Sequence, residues 1–97
     1  MTSEAGFRDY PAETLERLQQ RGIVVNPRFA SDLERFISDG FNSSVHEGAG
    51  REQFEAAWEQ LIEVMLAYAA ETGTDIFNAN VFVRIRRRIC PGFWPFC

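Results

Sequence analysis

The chain contains no lysine, a single histidine, two cysteines and no long apolar run, and each shortage removes a class of function. A membrane-spanning helix needs about 20 predominantly apolar residues, and no segment approaches that. Residues Met1 to Arg8 mix acidic and hydroxyl side chains without the apolar centre of a signal peptide, which predicts a cytoplasmic protein. Two cysteines and one distant histidine leave a four-ligand metal shell incomplete, and no Glu-x-x-His pair appears, so no metal is expected. Gly48-Ala49-Gly50 has neither the length nor the lysine of a phosphate-binding loop, and no cofactor is expected. His46 sits beside Glu47 in a polar stretch with Ser43 and Ser44 nearby, but adjacency supplies no oriented base and no oxyanion site. No catalytic residue is assigned, and the chain reads as a non-enzyme. The ten basic residues are all arginine, a bias that points to a GC-rich, bacterial genome.

What is present suffices for one compact domain: 97 residues, 45% of them hydrophobic. The net charge of −4 conceals a split. Residues 1–83 hold all 14 acidic side chains and six arginines, hence −8, while 84–97 hold four arginines and no acid, hence +4. An acidic body is a poor match for nucleic acid, whose affinity comes largely from phosphate neutralisation. The split suggests a folded acidic unit over 1–83 and a basic junction with an irregular tail over 84–97.

Local signals predict a mainly α fold, a small three- or four-helix domain. Residues 1–10 read as an arm whose Phe7 and Tyr10 can dock on the body. A first helix is expected from Pro11, suited to the first turn, to Arg21, with Gly22 as its stop. Ile23-Val24-Val25 is a short β-branched run. Asn26-Pro27 then starts a second helix with Phe29, Leu33, Phe36 and Ile37 on one face, ending at Asp39 before Gly40, and residues 41–50 read as a loop. A third helix over Arg51–Glu71 places Phe54, Trp58, Leu61, Ile62, Met65, Leu66 and Ala69 on one side and Glu52, Glu55, Glu59 and Glu63 on the other. Burying its large side chains at about 1.5–3 kcal/mol each makes it the main source of core stability. Residues 74–89 support two readings. As a strand near 81–89, Val81, Val83, Ile85 and Ile89 alternate with Phe82, Arg84, Arg86 and Arg88, and a partner is needed, either Ile23–Val25 or another protein's sheet edge. As a helix capped by Thr74 or Asp75, Phe77, Val81, Ile85 and Ile89 follow at four-residue steps.

The tail, Cys90-Pro91-Gly92-Phe93-Trp94-Pro95-Phe96-Cys97, holds both cysteines, two prolines and three aromatics. Pro91-Gly92 favours a turn that brings the thiols together, and closing so small a loop is worth about 2–3 kcal/mol. In a cytosolic protein the pair is expected to stay reduced. Phe93, Trp94 and Phe96 either project outward or fold back to plug a groove on the helices. Arg86-Arg87-Arg88 reads as a solvated patch or as an accessible cleavage region. Arginine beside Trp, Pro and Phe is similar to short antimicrobial peptides that meet anionic lipid and settle at its interface.

The arrangement of acidic body, basic junction and terminal Ile89–Cys97 segment resembles precursor peptides of ribosomally synthesised, post-translationally modified natural products. That resemblance implies a leader that recruits a modifying enzyme and a protease, and a core that is altered and released. Cys90 and Cys97 are then modification or ring positions, Arg86, Arg87 and Arg88 mark the cleavage region, and only the released, exported tail meets a membrane. The enzyme would grip the third helix or add residues 81–89, through Val83 and Ile85, to its own sheet edge. The alternative is a small interaction or regulatory module in which Phe93, Trp94 and Phe96 anchor a partner.

Overall fold

The computed structural model of the protein describes residues 8–46 and 50–97. The expected arm at 1–7, with Phe7, and the Glu47-Gly48-Ala49 part of the expected loop lie outside the described residues. The order of elements is α1 (Tyr10–Gln20), β1 (Val24–Val25), α2 (Pro27–His46), α3 (Gly50–Thr72), β2 (Ile76–Phe77) and α4 (Ala79–Ile89). The helix–strand–helix sequence thus occurs twice, and the two strands pair in parallel with Val24 opposite Ile76 and Val25 opposite Phe77. The fold is mainly α, as its periodicity predicts.

Chain punctuation explains most boundaries. The Asp9 side chain accepts from the Ala12 N–H at 3.1 Å to cap α1, and Pro11 occupies its first turn. Gly22 and Gly73 take φ of +80° and +67° just beyond α1 and α3, a left-handed conformation that ends a helix without a Cβ penalty. At the start of α4, Asn78 rather than Thr74 or Asp75 is the cap, its side chain accepting from the Val81 N–H at 3.1 Å.

One open reading is settled and one expectation is corrected. Residues 81–89 are helical, not a strand: Val81, Phe82, Ile85 and Ile89 form one buried face, and the partner of the Val24–Val25 strand is Ile76–Phe77. The second helix does not stop at Asp39. It continues through Gly40 to His46, because its buried face extends past Phe29, Leu33 and Ile37 to Gly40 and Ser44, and the Ser44 hydroxyl donates to the Phe41 carbonyl at 2.8 Å. Residues 41–46 are therefore helix rather than loop.

The core lies where α3 crosses the other helices. Trp58, Phe54, Leu61, Ile62 and Met65 of α3 meet Leu18, Phe29, Leu33, Ile37, Phe77 and Ile89. Leu66 and Ala69 are only partly buried, whereas Tyr68, absent from the expected face, is buried. The buried hydroxyl of Thr14 accepts from Trp58 Nε1 at 2.7 Å and donates to the Tyr10 carbonyl at 2.6 Å, so the indole brings no unpaired donor into the core. Among the described residues no helix is long and apolar enough to cross a membrane.

Candidate functional site

Two adjoining features carry the unusual chemistry of the chain: the outer face of α4 and the closed tail that follows it. The expected boundary between residues 83 and 84 falls inside α4, so the basic run is continuous with the folded body. Helix α4 packs against α2 on one side and α3 on the other. With 3.6 residues per turn, its arginines divide by direction. Arg88 turns toward α3, where it bonds Glu71 at 3.0 Å and lies 4.9 Å from the Tyr68 ring centroid. Arg86 turns toward α2 and lines a shallow groove of about 270 Å³ with Asp32, Arg35, Phe36, Asp39 and Val83. Val83, 46% exposed, stands one turn from Arg87, with Arg84 beside them. Among the described residues Arg84 and Arg87 enter no salt bridge.

Beyond α4 the chain turns back on itself. Cys90 and Cys97 are joined by a disulfide, contrary to the expectation of reduced thiols, and the Cys90–Pro91 peptide is cis. Gly92 passes so close to the end of α4 that a Cβ there would lie 2.9 Å from the Ile89 carbonyl oxygen. The Trp94 N–H donates to that same carbonyl at 3.3 Å, and Cys97 Sγ rests 3.2 Å from the Trp94 carbonyl oxygen. This short circuit sends the Trp94 indole inward. It is 2% exposed, stacked on Phe36 at 5.0 Å between centroids and edge-on to Phe54 at 6.2 Å and Phe96 at 5.4 Å. An ideal Cβ on Gly40 would sit 2.7 Å from Trp94 Cζ2. Gly40 is the gap in α2 that admits the ring.

The expected partner residues are therefore not one exposed set. Val83 faces outward, Ile85 and Trp94 are each 2% exposed, and Phe93 and Phe96 are half-buried. Aspartate at Ile85 would place a charge in the core and report on folding rather than on a partner. Arg86, Arg87 and Arg88 are exposed but belong to the last turn of a helix, where a protease must unwind the backbone to reach it.

A second polar cluster lies across the molecule. The Tyr10 hydroxyl donates to Glu55 at 2.6 Å, Arg8 bonds both Glu13 and Glu55 at 3.0 Å, and the Arg8 guanidinium stands 4.8 Å from the Trp58 ring centroid. Burial, then the bond to Glu55, pushes the Tyr10 hydroxyl up to about 12, while the bonds from Tyr10 and Arg8 hold the Glu55 carboxyl below its ordinary range. A depression of about 390 Å³ nearby is lined by Arg8, Tyr10, Ile37 and Phe41 together with polar Glu34, Asn42 and Arg51, and of these Arg8 and Tyr10 are spent on Glu55. The cluster clamps α1 to α3, a structural task. Its stabilisation is present above the ordinary glutamate pKa of 4.5 and is lost as pH falls through the lowered value. On the alkaline side it is present below pH 10 and lost toward 12 as Tyr10 ionises. Glu55→Gln is expected to flatten the acid limb of a stability-versus-pH curve measured by urea unfolding, an effect that an uncoupled surface glutamate would not produce.

His46 is exposed at the end of α2, and Ser44 is committed to the Phe41 carbonyl. The buried Thr14 and Tyr68, which the periodicity did not single out, support the core rather than a site. The chain matches no protein-family model, no curated protein and no solved structure.

Proposed function

We propose that the protein is a small helical interaction module that holds an acidic segment of a partner protein on the outer face of α4. The observation that supports this is the pairing of Arg84 and Arg87, uncommitted among the described residues, with the exposed Val83 flanking them one turn before Arg87. Guanidinium forks bind carboxylates in a two-pronged geometry, and an apolar contact at their edge adds desolvation. Charge decides against nucleic acid: outside residues 84–97 the chain carries −8, which repels an extended polyanion but not a short segment confined to α4. The aromatic side chains of the tail do not serve as the anchor in this reading, since Trp94 is inside the core.

A photo-reactive benzophenone amino acid at position 83, expressed in the native host, tests it. The expected product is a cross-link to a Glu/Asp-rich protein segment, reduced at least tenfold by Arg84→Glu with Arg87→Glu. Labelling no stronger than from Gln60 on the exposed side of α3, or cross-links chiefly to nucleic acid, would refute the assignment.

The processed-precursor reading retains one supporting observation, the Cys90–Cys97 ring hung directly after Arg86–Arg88. Release of Ile89–Cys97 then requires the maturation enzyme to unwind the end of α4 and withdraw Trp94. A free peptide of that span in the native host, detected by mass spectrometry, would replace the module reading.

A further inference from the structure

We propose that Cys90–Cys97 is a thiol–disulfide exchange site whose reduction unseats the Trp94 plug from the Gly40 groove. The proposal stands apart from the acidic partner and rests on the geometry of the tail.

Between the two cysteines only Trp94 is fully buried; Phe93 and Phe96 are half-buried, and Pro91, Gly92 and Pro95 are exposed. The apolar gain of one whole and two partial aromatics therefore has to order the backbone of the entire segment. Its backbone bonding to α4 is sparse: the Cys90 N–H donates to the Arg86 carbonyl at 2.8 Å at the helix end, and beyond it the Trp94 N–H donates to the Ile89 carbonyl at 3.3 Å. The disulfide tips this balance. A ring of about eight residues shrinks the undocked ensemble on the order of 50- to 100-fold, so opening it lowers the docked-to-undocked ratio by the same factor. The groove beneath, formed by Phe36, Gly40 and Phe54, is then uncovered, and the last turn of α4 loses its cover beside Arg86–Arg88.

Access favours one direction of attack. Cys97 is exposed and Cys90 is half-buried. A dithiol reductant attacks as its thiolate at Cys97 Sγ, forming a mixed disulfide and expelling the Cys90 thiolate. The second thiol of the reductant closes on the mixed disulfide and releases Cys97, leaving the reductant as a cyclic disulfide. Two electrons pass to the protein, and both cysteine sulfurs take up protons according to pH.

The test uses the full chain, isotopically labelled, with and without dithiothreitol, and follows the two tryptophan indole N–H signals. Trp58, bonded to Thr14, is the internal reference for the fold. On reduction the Trp94 signal is expected to move to the position of a solvated indole while Trp58 stays in place. Trypsin cleavage after Arg88 is expected to accelerate at least tenfold, with cleavage after Arg17 and Arg21 unchanged. The Cys90→Ser, Cys97→Ser chain should reproduce both effects without reductant. An unmoved Trp94 signal in protein whose mass shows both thiols free would overturn the proposal. So would simultaneous loss of the Trp58 and Trp94 signals, which would make the disulfide a support of the whole fold.

Discussion

Replacing Trp94 with alanine is expected to lower the unfolding free energy by about 2–3 kcal/mol, below the roughly 3–5 kcal/mol usual for a large buried aromatic, because undocking of the tail caps the loss at the docking free energy that the ring closure sustains. For a domain of this size the total is on the order of 5–15 kcal/mol, so the variant would keep a folded body with a markedly lower midpoint. The indole is 2% exposed, and its neighbours Phe36, Phe54 and Phe96 come from α2, α3 and the tail, so no single element can relax to fill the space. Guanidinium titration under non-reducing conditions, followed by circular dichroism, measures the loss. The same experiment separates two views of the tail. A segment carried as detachable cargo would lose less than about 0.5 kcal/mol, the usual scale for a surface substitution.

Gly40→Ala is expected to change sign with its background. In an ordinary helix interior alanine is favoured over glycine by about 1 kcal/mol. Here the added Cβ meets Trp94 Cζ2 at 2.7 Å, and the ring cannot retreat because Phe36 and Phe96 hold it. Overpacking of this kind costs about 1–3 kcal/mol and should outweigh the helix gain, so the single variant is destabilised. With Trp94→Ala the obstacle is gone and the same substitution should stabilise by up to about 1 kcal/mol. A double-mutant cycle from denaturant titrations gives the coupling directly. Equal effects in both backgrounds would mean that the tail does not seat against α2.

The elements that could be read from the chain are those with local punctuation. Asp9, Pro11 and Gly22 delimit α1, and Gly73 ends α3, so both helices fall within about one residue of expectation. Each signal acts within one helical turn and requires no distant partner. Gly40 carries the same signal with the opposite meaning. Glycine marks either the end of a helix or a place where something must approach closely, and only Trp94, remote in sequence, decides between them. Thr14 escaped notice for a related reason: a threonine on a helix face is ordinarily polar surface, and it becomes core here because Trp58 needs an acceptor.

The outer face of α4 was half legible. The arginine run is plain in composition, but its distribution into Arg88 on Glu71, Arg86 at the α2 groove, and Arg84 with Arg87 outward depends on the segment being a helix. Alternating β-branched residues fit a strand equally well. The choice falls to the Asn78 cap and to a core that takes Val81, Ile85 and Ile89 at four-residue steps.

By itself the sequence determined a mainly helical unit, its charge asymmetry, and a terminal segment able to close on its own cysteines. Those properties come from composition and from contacts within a few residues. Tertiary structure alone decided that the tail belongs to the core. A Pro-rich aromatic segment has no periodicity that reveals its burial, and its place depends on a groove that α2 and α3 create only once packed.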